Sequence, residues 1–86
     1  RADGSLLIDG LYPFHEFLRR FDIDEFASEY DINTMSGLVL EEMGKIPKEG
    51  EFFIWNHFKI EILDIDGAKI DKLLVSRLDN SKDDDN

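Results

Sequence analysis

The 86-residue chain contains no cysteine, which excludes a disulfide framework, a thiolate metal site and a thiol nucleophile. A reducing compartment is thereby permitted. Long apolar runs are missing too. None approaches the ~18 residues needed to span a bilayer, so direct membrane insertion is not expected and the chain itself reads as soluble. Basic residues are scarce. Ten Lys and Arg stand against twenty Asp and Glu, and a formal charge of −10 repels a phosphate backbone over most of the surface. Nucleic acid is therefore not an expected partner. The chain opens on Arg1-Ala2-Asp3-Gly4, with neither Met nor a signal-peptide pattern, and is expected to be an excised piece of a longer protein or to carry a tag remnant.

What is present suits one modest core. Apolar residues make up 42% of the chain and include seven Phe, one Trp and two Tyr. At this length a domain buries ~60–70% of its unfolded surface. Ser5-Leu6-Leu7-Ile8-Asp9, closed by Gly10, has the length and boundaries of a strand. Pro13 suits a first helical position, and Phe14, Phe17, Leu18 and Phe21 recur at the spacing of one helix face. Between Asp22 and Asn33 five acids surround Ile23, Phe26, Tyr30 and Ile32, which predicts a short helical turn plus loop. Thr34 is placed as an N-cap and Gly44 as a left-handed terminator, giving a second helix from Met35 to Met43.

After the connector Ile46-Pro47-Lys48-Glu49-Gly50 the period changes from helical to alternating. Phe52 to Trp55 form a strand, Asn56-His57 a tight turn, and Phe58, Ile60 and Ile62 the next strand. The parity slips at Leu63, as a β-bulge would make it. Asp66-Gly67 predicts a second turn, and Ile70, Leu73, Val75 and Leu78 a last strand from Lys69. The fold class is α+β: one N-terminal strand, two short helices, then a three-stranded antiparallel meander joined with the first strand into one sheet. The domain is expected over residues 3–78, followed by an acidic tail over 79–86.

Candidate chemistry is thin. His15 neighbours Glu16 at i, i+1, which do not face each other on a helix, and it reads as a surface or boundary residue. His57 reads as a polar turn position. Asp64, Asp66 and Asp71 around Gly67 are the candidate metal ligands, but they lack the EF-hand order. Crowded, mutually repelling carboxylates suit weak divalent-cation binding better than a specific site. Thr34, Ser36 and Gly37 at the start of the second helix are the candidate cofactor-binding residues, since exposed N–H groups there suit a phosphate or carboxylate. Gly37 equally suits close packing of the helix on the sheet. Phe52, Phe53 and Trp55 suit either a flat ligand or the core. No catalytic residue is assigned, and the chain is not expected to be an enzyme.

The order of landmarks carries a resemblance. Asp3-Gly4-Ser5 and Leu7-Ile8-Asp9-Gly10 are followed by Tyr30-Asp31, Thr34 and Gly37-Leu38-Val39-Leu40-Glu41. Gly44-Lys45-Ile46-Pro47-Lys48-Glu49-Gly50, Phe58-Lys59-Ile60-Glu61-Ile62-Leu63-Asp64 and the Gly67 turn complete the series. Over about residues 3–78 the chain resembles the CorC/HlyC transporter-associated domain, with Gly-x-Ile-Pro-x-x-Gly the most specific segment. The resemblance implies a non-catalytic regulatory or interaction module at the cytoplasmic C-terminus of a membrane ion transporter. It also implies a link to magnesium and cobalt efflux and a hemolysin-like label. The implied partners are a CBS pair and a membrane domain upstream in the same parent. Similarity of that fold to part of the FAD-binding domains of flavin oxidases names flavin adenine dinucleotide as the alternative ligand, by fold analogy alone. An apolar edge strand at Phe52 to Trp55 further predicts a homodimer.

Overall fold

The computed structural model describes residues 4–23 and 29–78. The acidic tail, and the core of the helical turn expected between Asp22 and Asn33, lie outside the described residues. The elements run β1 (Leu6–Asp9), α1 (Phe14–Arg20), α2 (Met35–Met43), β2 (Phe52–Trp55), β3 (Phe58–Asp66) and β4 (Lys69–Arg77). The strands form one antiparallel sheet in the order β1-β4-β3-β2, so the N-terminal strand joins the meander along β4.

Alternation sorts the side chains of this sheet. Leu6 lies opposite Val75, which lies opposite Ile60, which lies opposite Phe53. Ile8, Leu73 and Ile62 make the next row. These residues face the helices, and Ile60, Ile62 and Leu73 are fully buried. The helices supply Phe14, Phe17, Leu18, Met35, Leu38 and Val39, each also fully buried. Seven residues of α1 would not hold a helix in water, because nucleation costs more than so few hydrogen bonds return. Its Phe14, Phe17 and Leu18 stripe, packed on the sheet, supplies the difference. Phe21 falls one residue past the helix end and remains half-buried.

Helix termini follow sequence chemistry with one shift. Thr34 Oγ1 accepts a hydrogen bond from Gly37 N at 3.2 Å, and Gly44 takes φ +71° at the other end of α2. Pro13 sits just before α1 rather than at its first turn: its ring sets φ near −64°, but ψ is 130°, which is extended. There it makes an isolated antiparallel bridge with Thr34, flanked by Phe14 N to Asn33 O and Met35 N to Tyr12 O. The starts of the two helices are thereby tied together.

Both hairpins turn where short loops are predicted. Asn56 and His57 have φ of 49° and 70°, the pair of left-handed residues that a two-residue turn of this hand requires. In the second, the strand runs on through Asp66, and the turn falls on Gly67 and Ala68, one residue later than the sequence pattern predicts. The bulge expected at Leu63 is present: Ile62 pairs with Leu73 but Asp64 with Lys72, and a second shift follows before Ile65 pairs with Ile70. Together the two shifts let Ile70 be buried although it has the opposite parity to Leu73.

Candidate functional site

The three Asp residues singled out around Gly67 part company in the fold. Asp66 ends β3 opposite Lys69. Asp64 and Asp71, brought together by the bulged hairpin, are joined by Glu49 from the connector. Glu49 is anchored there because its Oε2 accepts from Ile65 N at 2.9 Å, a contact between residues sixteen apart. No short-range spacing announces Glu49; only the folding of the connector onto the bulge brings it in.

The electrostatics of this cluster are those of crowded carboxylates. Partial loss of hydration raises the Asp64 carboxyl above its ordinary range, and hydrogen bonding and repulsion from Asp71 and Glu49 raise it further. Asp64 is exposed, so water screens much of this penalty. One cation is already at hand: Lys72 Nζ lies 3.6 Å from Asp71 Oδ1 and 3.8 Å from Asp9 Oδ2. Among the described residues no three of His, Cys, Asp or Glu are arranged to hold a metal ion. The cluster can attract a cation diffusely but does not build a coordination shell.

The start of α2 is occupied by the protein itself. Met35 N donates to Tyr12 O, Ser36 N to Gly10 O, Gly37 N to Thr34 Oγ1 and Leu38 N to Thr34 O. All the donors that a helix N-terminus would offer a phosphate are thus already committed. The Ser36 and Thr34 hydroxyls bond each other at 3.1 Å. A Cβ at Gly37 would sit 3.3 Å from Ile32 Cβ, so smallness here serves packing. These observations leave a flavin pyrophosphate no cradle at Thr34, Ser36 and Gly37. An open cleft of about 250 Å³ lies elsewhere, between Gly4, Ser5, Leu6, Arg20 and Phe21. It falls below the ~300–1,000 Å³ of ordinary small-molecule pockets.

Neither histidine meets an acid among the described residues. His15 is exposed on α1, edge-on to Phe14 with ring centroids 5.7 Å apart. His57 is exposed in the hairpin turn, and its carbonyl accepts from Leu78 N. The aromatic run of β2 divides between faces. Trp55 is buried against Phe14 and Phe17, while Phe52 is 52% exposed on the opposite face. The Trp55 indole N–H donates to Tyr30 Oη at 2.9 Å, and Tyr30 donates in turn to Glu42 Oε2 at 3.0 Å. Donation from Trp55 favours ionisation of Tyr30, but burial together with Glu42 and Glu29 outweighs it, so the hydroxyl stays a neutral donor. This relay ties loop, helix and strand together without presenting a reactive group.

Comparison with known proteins supplies the context that the geometry lacks. A UPF0053 protein of Synechocystis sp. is 44% identical over 80 residues, covering 91% of this chain and 18% of the relative. The polyamine export protein of Salmonella typhimurium is 40% identical over 80 residues, with 93% and 18% covered. The chain thus spans about a fifth of the length of these relatives. The solved transporter associated domain CorC_HlyC of a Xylella fastidiosa hemolysin, in complex with Mg++ and Mn++, is 43% identical with a TM-score of 0.78, covering 92% of this chain and 94% of that one. Residues 1–79 match the family described as the transporter associated domain CorC_HlyC, and with the shared fold this shows that the chain belongs to that family.

Proposed function

We propose that this domain is a non-catalytic regulatory or interaction module of a membrane transporter that exports cations, polyamines foremost. The observation that carries the reading is the 40% identity to a polyamine export protein along nearly the whole chain. Magnesium and cobalt are the alternative cargo, favoured by the Mg++ and Mn++ complex of the Xylella domain. In either case the module sits at the cytoplasmic face of the membrane and acts by contact with a CBS pair and membrane domain of its parent. Its charge of −10 suits this place, since it concentrates cations near a transport path by long-range attraction without a dedicated site. The commitment of the α2 donors argues against flavin adenine dinucleotide as the effector.

The test is deletion of residues 4–78 from the full-length parent, followed by efflux of putrescine, spermidine, Mg²⁺ and Co²⁺ from loaded cells. Polyamine export that changes while the protein still reaches the membrane is the expected result. A change confined to Mg²⁺ or Co²⁺ would shift the cargo to the metals. Unaltered efflux of all four would overturn the regulatory reading.

A further inference from the structure

We draw no further inference here: the strongest candidate, the face of the sheet turned away from the helices, where Leu7, Phe52 and Ile54 are exposed, carries none, because nothing in the structure shows what covers it.

Discussion

At Gly10 the chain passes so close to β4 that a Cβ would lie 2.1 Å from the Ile70 carbonyl oxygen. The approach is held by Gly10 N donating to Asp71 O at 2.9 Å and Gly10 O accepting from Ser36 N at 2.8 Å. Backbone cannot swing aside as a side chain can. Gly10→Ala is therefore expected to cost about 3 kcal/mol or more in urea unfolding. Gly44→Ala, strained by φ +71° but with nothing within 4 Å of its Cβ, should cost only about 1 kcal/mol. Equal losses at the two positions would contradict the close approach. Asp64 gives a pH-dependent counterpart. Its folded pKa is raised, so at neutral pH the fold holds a carboxylate charged against its neighbours, a penalty absent below the ordinary carboxylate range where both states are protonated. Asp64→Asn should raise the melting temperature at neutral pH and leave it nearly unchanged in acid; thermal melts at the two pH values read this directly. Glu51 has the opposite sign. Bonding to Lys45, then to the Lys48 N–H, lowers its pKa, so its contribution is present at neutral pH and lost as pH falls through the folded value.

Among the elements, the β2–β3 hairpin is held in register by a turn whose two residues both have positive φ. Asn56 tolerates that region, but His57 at φ +70° pays steric strain that glycine would not. His57→Gly should stabilise the domain by up to about 1 kcal/mol, less whatever the added chain entropy of glycine removes, as measured by denaturant midpoint. A loss instead would mean that the imidazole makes a contact worth more than the strain. The helices were more legible than this turn's strain. Thr34 and Gly44 mark the ends of α2 by local chemistry, and the structure places the helix between them, at Met35–Met43. Pro13 was less so: its fixed φ suits both a first helical residue and an extended one, and the bridge to Thr34, twenty-one residues away, selects the extended form.

Across the whole molecule, excess negative charge and a four-stranded sheet with helices on one side set the character of the domain. The acids that sequence grouped by proximity, Asp64, Asp66 and Asp71, are regrouped by the hairpin, which sends Asp66 to its tip and draws in Glu49. Likewise the phosphate-binding appearance of Thr34, Ser36 and Gly37 dissolves once Gly10 and Tyr12 supply carbonyls to the same N–H groups. Period, caps and turn residues act within a few positions along the chain, so the strands, the second helix, the bulge and the family landmarks could be read from sequence alone. Side-chain groupings and the satisfaction of backbone donors depend on which distant segments meet. Only the tertiary structure could therefore decide, among the described residues, that Glu49 joins Asp64 and Asp71, that the N–H groups at the start of α2 are already committed, and that β2 is an outer strand of the sheet.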